Sequence, residues 1–224
     1  MLYLQIISIK CGFMNRFITI ILMLASLFSF AQNNAHVGDI LCTDNTFVPR
    51  NDFATSGKTA LGIVFFVDNS QQHGWAVAIN DAGSETMAWG DIESLCYLNS
   101  YNYNPQLVNA DTIGYTRCDS IVRTAQVINM NLASYATALN AAMQGGDGWF
   151  LPSIGQLIIL YANMPEVNAA LDAIQGSGKM NGRQYWSCTE ENLGVISAWV
   201  LNYDGAVIAT PKGTSASVRA IRNF

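Results

Sequence analysis

The order of hydrophobic patterns is the feature that most constrains the fold of this chain. Apolar, β-branched and aromatic runs predict short strands in its first third, at residues 37–41, 46–48, 60–68 and 75–79. A helical spacing of apolar residues follows, and strand patterns return at residues 185–189, 196–203, 206–210 and 217–224. Strands, then helices, then an antiparallel meander predict an α+β domain with two or three helices packed on small antiparallel sheets.

Residues 119–144 carry the most regular helical pattern. Their apolar positions share one helix face and are Ile121, Ala125, Ile128, Leu132, Tyr135, Leu139 and Met143. Asp119 or Ser120 suits the start of this helix, and Gly145-Gly146 suits its end. Further along, Pro165 suits the first turn of another helix. The pattern predicts one long amphipathic helix followed by shorter ones.

The segment GDGWFLPSIGQL, residues 146–157, connects the long helix to the next one. Gly145–Gly148 ends the first helix, and Trp149–Leu151 supplies apolar side chains. Ser153 and Gln156 match the spacing of a capping box, in which each side chain bonds the backbone of the other residue. Since every residue type here has a local structural reason, we interpret the segment as a structural joint.

The N-terminus predicts export. A basic residue, Arg16, precedes an apolar run at residues 17–28 and a small-x-small cleavage site that ends at Ala31. This order predicts a signal peptide over residues 1–31, with Met14 as the better start. The run is shorter than the ~20 apolar residues of a membrane span, although an uncleaved anchor is the alternative. The mature chain, residues 32–224, is expected to be one domain in the periplasm, at the cell surface or outside the cell.

The charge of the mature chain restricts its partners. Removal of Lys10 and Arg16 with the leader leaves 9 basic and 16 acidic residues, a net charge of −7. An acidic surface with few charges disfavours nucleic acid and polyanionic glycans as partners. No later apolar run reaches the length of a bilayer span, so no membrane span is expected in the mature chain.

The mature chain keeps an even number of cysteines, Cys42, Cys96, Cys118 and Cys188. In an exported protein they allow three pairings into two disulfides. We predict a Cys96–Cys118 bridge, because a loop of about 22 residues would stabilise the fold by about 3 kcal/mol. Free, buried thiols are the alternative, since a free cysteine packs like a small hydrophobic residue. The spacings match no zinc template.

Several short motifs together resemble a large bacterial family of exported domains. Gly148-Trp149-Phe150-Leu151-Pro152-Ser153, with Gln156-Leu157 and Leu160-Tyr161, is similar to the family's "W-R-L-P-T…E-L…L" signature. The second half is similar too, through Tyr185 to Glu190, Ala198-Trp199 with Asn202 to Gly205, and Val218 to Arg222. The family is known as the Lcl C-terminal domain, after a collagen-like adhesin. The likeness covers residues 115–224 well.

The resemblance implies a C-type-lectin-like fold, related to that of the formylglycine-generating enzyme. Two positions depart from the family pattern, since Gln156 replaces the usual Glu and Cys188 replaces the usual Ser. Relatives that generate formylglycine use paired cysteines, and Cys188 has no partner nearby in the sequence. The resemblance therefore does not carry that activity over to this chain.

Aromatic residues divide into two groups by their sequence context. Three tryptophans lie in apolar, strand-like surroundings and are expected in the core: Trp149, Trp186 and Trp199. Four aromatic residues lie in the irregular region 80–117 and are candidates for stacking on a sugar or a partner protein: Trp89, Tyr97, Tyr101 and Tyr103. Anchoring of the loops to the core is the alternative role for each of these four.

Polar residues near the C-terminal strands are the second set of candidate ligand-binding positions. They are Glu190, Glu191, Asn192, Asn202 and Asp204. Glu190, Asn202 and Asp204 are weak candidates for a calcium site, because oxygen ligands from a loop and the following hairpin can converge. Their structural alternatives are an ion pair from Glu190 to Arg219 or Arg222 across the sheet, and a simple turn at Asp204-Gly205. No other cofactor is expected.

Three functions fit these observations. The first is a secreted, non-enzymatic binding or adhesion module that recognises a glycan or a cell-surface protein. The second is an exported hydrolase or modifying enzyme that uses Glu190, Glu191 or Asp204 as acid and base. The third is a structural component of an envelope or fibre assembly. No nucleophile–base pair is recognisable, so the sequence favours binding over catalysis.

Overall fold

A six-stranded antiparallel sheet holds both ends of the folded chain. Its strands are β1 (Ile40–Cys42), β2 (Phe47–Val48), β3 (Ala60–Val67), β4 (Gly74–Ala78), β5 (Trp149–Phe150) and β9 (Ile221–Asn223). They lie in the order β2-β1-β3-β4-β9-β5. The centre of β3 is completely buried, as its continuous apolar run predicts, and Ile63 pairs with Val77 of β4.

A second, three-stranded sheet follows the helices. It comprises β6 (Tyr185–Glu190), β7 (Ser197–Leu201) and β8 (Val207–Pro211) in sequential antiparallel order. Asp204 and Gly205 lie in the turn between β7 and β8, and Gly205 has a left-handed φ of 83°. Every residue of β6 is buried, because helices pack on one of its faces. The predicted C-terminal meander is therefore confirmed for three strands, whereas the predicted final strand, residues 217–224, contributes β9 to the six-stranded sheet instead.

The helices lie mainly between the two sheets in sequence. They are α1 (Phe53–Ser56), α2 (Pro105–Val108), α3 (Gly114–Val127), α4 (Leu132–Tyr135), α5 (Thr137–Met143), α6 (Ile154–Ala162) and α7 (Met164–Leu171). In the part of the chain that the structure describes, no helix is both long and apolar enough to span a bilayer. Helices and antiparallel sheets around one core confirm the α+β prediction.

This computed structural model describes residues 34–83, 85–91, 105–180, 182–191 and 196–224. The predicted signal peptide lies outside these residues, as do four other predicted site positions and one cysteine: Tyr97, Tyr101, Tyr103, Asn192 and Cys96. Residues 34–224 form one compact unit.

The predicted single helix over residues 119–144 is wrong, because the segment forms three helices. α3 begins earlier, at Gly114, and ends at Val127, where Asn129 takes a left-handed φ of 54°. Asn131 then caps α4 by accepting a hydrogen bond from the Ala133 N–H at 2.9 Å. Asparagine tolerates left-handed backbone and bonds nearby amides, so these residues stop the helix although the apolar spacing continues.

The capping box at the start of α6 is confirmed. The Gln156 Oε1 atom accepts the Ser153 N–H at 3.0 Å, and the two residues form the reciprocal box. The Ser153 hydroxyl also donates to the Asp111 carbonyl at 2.7 Å. Pro165 lies in the first turn of α7, as predicted. This joint orients α6 and α7, which form one wall of the candidate site.

Three tryptophans are confirmed as core residues. Trp149, Trp186 and Trp199 expose at most 6% of their surface. Trp149 belongs to β5 and lies opposite Arg222 of β9, so the segment that leaves the helices joins the six-stranded sheet. The Trp186 indole N–H donates to the Met87 carbonyl at 2.8 Å. The Trp186 ring therefore ties two distant parts of the chain together.

Candidate functional site

A surface cleft of about 490 Å³ lies between the helices α6 and α7 and the start of the three-stranded sheet. We call it the Tyr161 cleft. Its aromatic and polar lining residues are Tyr161, Asn168, Arg183, Tyr185, Asn202 and Tyr203. Met164, Pro165, Met180 and Leu201 add an apolar floor. The volume lies within the range of small-molecule binding sites, about 300–1,000 Å³.

Two tyrosines of the cleft, Tyr161 and Tyr203, come from different elements. Tyr161 is in the last turn of α6, and Tyr203 follows β7 with 63% of its surface exposed. Gly205 lets the turn approach the Tyr161 ring, because a Cβ at this glycine would lie 2.6 Å from the ring. The turn that the sequence predicts at Asp204-Gly205 thus brings the Tyr203 loop close to Tyr161.

Hydrogen bonds hold the polar groups of the cleft in place. The Gln184 side-chain amide donates to Asn202 Oδ1 at 3.0 Å. Asn168 Oδ1, on α7, accepts the Met180 N–H at 3.0 Å. These bonds orient one planar amide on each wall, so the cleft has fixed hydrogen-bonding groups beside its aromatic faces.

An acidic residue links the cleft to the core behind it. Asp81 forms ion pairs with Arg183 at 2.7 Å and Arg219 at 3.1 Å. The Tyr185 hydroxyl donates to Asp81 at 3.3 Å. Burial, and secondarily the Asp81 charge, raises the pKa of Tyr185 well above its usual value of 10.0. Burial lowers the pKa of Arg219, although the guanidinium remains charged.

Trp89 does not contribute a binding surface, which corrects the prediction made from its irregular sequence context. The side chain is completely buried, and its indole N–H donates to the Ser187 carbonyl at 2.8 Å. The Lys212 ammonium lies 4.4 Å from the centre of the ring. Trp89 therefore anchors its loop to the three-stranded sheet, which is the alternative role stated above.

Glu190 and Glu191 are also core residues, exposed by 2% and 5%. Glu190 pairs with Lys212 at 2.5 Å, so the expected partners Arg219 and Arg222 are wrong. A buried carboxylate requires such a partner because desolvation disfavours its charge. Both side chains are therefore buried in the described part of the chain, and neither lines the Tyr161 cleft.

The three oxygen donors considered for calcium do not come together. In the antiparallel pair β6–β7, Glu190 lies opposite Ala198, whereas Asn202 follows Leu201 at the other end of the pair, beside Gln184. Asp204 accepts the Ala206 N–H at 3.0 Å within the turn. Within the described residues, no group of three His, Cys, Asp or Glu side chains is placed to hold a metal ion.

The three cysteines in the described part of the chain are free, buried thiols. Cys118, the expected partner of Cys96, instead donates its thiol hydrogen to the Leu151 carbonyl at 3.2 Å. Cys42 and Cys188 lie on strands of different sheets, and each is likewise a free thiol. Their sequence spacing carried no information on which thiols meet in the core.

Sequence reasoning identified only part of the cleft. Asn202 was a predicted site residue, whereas Tyr161, Asn168, Arg183 and Tyr185 were not. Tyr161 belonged to a motif that suggested packing, and Arg183 lay between two predicted elements. Their convergence requires the α6–α7 pair to lie beside the β6–β7 hairpin, and no local signal marks that arrangement.

Comparisons with known proteins give a fold and no family. No protein-family model matches the chain, and no curated protein matches it either. Among solved structures, the crystal structure of a fimbrial protein from Bacteroides ovatus ATCC 8483 is similar, with a TM-score of 0.67 and 16% identity. The match covers 84% of this chain and 49% of that chain, so this chain spans about half the length of its neighbour. This similarity shows a shared α+β fold.

Proposed function

We propose that the protein is an exported, non-enzymatic binding or adhesion domain of a cell-surface structure, with a glycan as its ligand in the Tyr161 cleft. The observation that carries the proposal is the composition of this cleft. The exposed Tyr203 ring, the half-buried Tyr161 ring, oriented amides and a guanidinium surround one concave space. The resemblance to an exported adhesin domain and the predicted signal peptide support the same location.

The chemistry of the cleft suits a sugar. The apolar C–H face of a sugar ring packs on an aromatic ring, and Tyr203 presents its ring with 63% exposure. Sugar hydroxyls both donate and accept hydrogen bonds, which matches the amides of Asn168 and Asn202. The Arg183 guanidinium, 52% exposed beside Asp81, adds a planar donor at the rim. A neutral or weakly acidic glycan fits this set of groups.

Burial of the predicted carboxylates supports binding over hydrolysis. Glu190 is paired with Lys212 in the core, and Glu191 is 5% exposed. A glycoside hydrolase needs two carboxyl groups on either side of the scissile bond. Asp204 lies in the turn after Tyr203, where it accepts the Ala206 N–H. The three carboxylates predicted from the sequence, Glu190, Glu191 and Asp204, therefore supply no pair of exposed acid and base groups for the alternative hydrolase.

A glycan array probed with the exported chain tests the proposal, first in calcium and then in EDTA. We expect binding that survives EDTA, because aromatic and amide groups carry the site. Tyr203→Ala should raise the dissociation constant for a glycan that binds by up to about tenfold, because the contact with the aromatic ring is lost. Tyr115→Ala is the matched control, since Tyr115 is 57% exposed on α3 and does not line the cleft.

Two results would contradict the glycan proposal. One is a folded protein that binds no glycan in either buffer, which would redirect the search to a cell-surface protein. The other is equal loss of binding in Tyr203→Ala and Tyr115→Ala, which would place the ligand elsewhere. Binding that EDTA abolishes would revive a calcium-dependent site.

A structural role in a surface fibre is the second candidate function. The similarity in fold to a fimbrial protein favours it. Among the strands that the structure describes, β8 also lies at an edge of its sheet, and it carries Ile208, 42% exposed. Size-exclusion chromatography with light scattering tests this role. Concentration-dependent oligomers that Ile208→Lys abolishes would support it, and a monomer at all concentrations would contradict it.

A further inference from the structure

Two cysteines from different elements meet between helix α3 and strand β6. The Cys118 thiol donates to the Leu151 carbonyl at 3.2 Å, and the Cys188 thiol donates to the Gly114 carbonyl at 3.7 Å. The Cys188 backbone N–H donates to the Pro152 carbonyl at 2.8 Å. Consecutive carbonyls, of Leu151 and Pro152, thus hold one cysteine each. The joint between the helices aligns the two residues.

The Gly114 carbonyl lies between the two cysteines and brings them near each other. In an α-helix the carbonyl of residue i−4 faces the amide of residue i, so the Gly114 carbonyl points toward Cys118. The Cys188 sulfur contacts this same carbonyl. Burial, and secondarily the neighbouring Cys118 thiol, raises the pKa of Cys188 above its usual value.

Only one of the two thiols is close to the surface. A cavity of about 130 Å³ is lined by Tyr115, Cys118, Val122 and Met143. Tyr115 and Met143 are 57% and 40% exposed, so the cavity lies at the protein surface with Cys118 at its wall. Cys188, in contrast, is completely buried. An external reagent therefore reaches Cys118 first.

We propose that Cys118 and Cys188 form a disulfide in an oxidising compartment, through exchange with a small organic disulfide or the disulfide of an oxidoreductase. The inference that this occurs in the cell rests on the proposed export. The proposed disulfide joins α3 to β6, and it corresponds to one of the three pairings that four cysteines allow.

The exchange balances in two steps. The Cys118 thiolate attacks the external disulfide, one external sulfur leaves as a thiolate and takes up a proton, and a mixed disulfide remains on Cys118. Cys188 then loses its proton and attacks the Cys118 sulfur, and the second external thiolate leaves and is protonated. Two protein thiols are oxidised, and one external disulfide is reduced to two thiols.

Peptide mapping tests the pairing directly, because trypsin separates the four cysteines of residues 32–224 onto four peptides. The folded, fully reduced chain is incubated with oxidised glutathione, alkylated at low pH and digested. We expect a linked pair of peptides, 118–123 with 184–212. A Cys96–Cys118 link would overturn the proposal, and so would free Cys188 beside glutathione retained on Cys118. This oxidation uses purified protein, so its result does not depend on export.

Thermal unfolding provides a second readout. The oxidised chain should melt about 5 °C or more above the reduced chain, since the cross-link restricts the unfolded state. Reductant should lower the Tm of the oxidised chain but leave that of Cys118→Ser unchanged. Cys42→Ser is the control, because Cys42 is equally buried on β1 and should keep both the linked peptides and the sensitivity to reductant. Loss of reductant sensitivity in Cys42→Ser instead would contradict the proposed pair.

Discussion

Lys212 Nζ lies 2.5 Å from Glu190 Oε1, and the two side chains are 0% and 1% exposed. The pair joins the end of β6 to the residue that follows β8. The Trp89 ring also packs against the ammonium, with its centre 4.4 Å away. The buried ion pair and Trp89 therefore form one structural unit with the three-stranded sheet. This unit explains why two predicted ligand residues, Trp89 and Glu190, are buried.

Glu190→Gln is expected to lower the free energy of unfolding by about 3 kcal/mol or more, because the buried ammonium loses its counter-charge. Urea denaturation measures the change. Asp119→Asn is the control, since Asp119 pairs with Arg123 at 2.8 Å on the surface and should contribute less than about 1 kcal/mol. Equal effects of the two substitutions would show that burial of the Glu190–Lys212 pair has been misjudged.

Ser153→Ala is expected to lower the free energy of unfolding by about 2 kcal/mol. The substitution removes the side-chain half of the capping box and leaves the buried Asp111 carbonyl without the Ser153 hydroxyl. Chemical denaturation gives the value, with Ser120→Ala as control. The Ser120 hydroxyl bonds its own helix on an exposed face, so its loss should change stability by no more than about 0.5 kcal/mol. A Ser153→Ala protein as stable as the control would rule out this role.

Gly155→Ala is expected to destabilise the protein, although alanine normally stabilises a helix by about 1 kcal/mol relative to glycine. A Cβ at this position would lie 2.4 Å from the Asp111 carbonyl and 2.7 Å from that of Asn109. Because both contacts are with backbone, the helix must move. The sign of the change in Tm is the test, and a higher Tm would show that α6 does not approach residues 109–111 so closely.

Tyr185→Phe is expected to make the protein less sensitive to alkaline pH. The folded state raises the pKa of Tyr185 above its ordinary value of 10.0, so the folded protein holds this proton more tightly than the unfolded chain. The contribution of this proton to the free energy of unfolding is complete below pH 10 and is lost as the pH rises further. Urea midpoints measured from pH 8 to 11 should fall more steeply for the wild type, and parallel curves would contradict the assignment.

Local chemistry was sufficient to predict several parts of the structure from the sequence. Ser153 and Gln156 are three residues apart, and a capping box needs no distant partner. Asp204-Gly205 forms its turn, because glycine tolerates the left-handed φ that the turn requires. The apolar run that became β3 has the length and composition of a buried strand. The order of such elements was enough to predict an α+β fold.

Partner choice across the core depended on the tertiary structure. Trp89 is buried because Ser187 accepts its N–H, and Glu190 is buried because Lys212 reaches it, yet neither partner is close in sequence. The meeting of Cys118 with Cys188, and of Tyr161 with Tyr203 around one cleft, likewise follows from how α3, α6 and β6 pack. Sequence patterns record the local preferences of backbone and side chains, whereas burial and pairing depend on which surfaces meet when the chain folds.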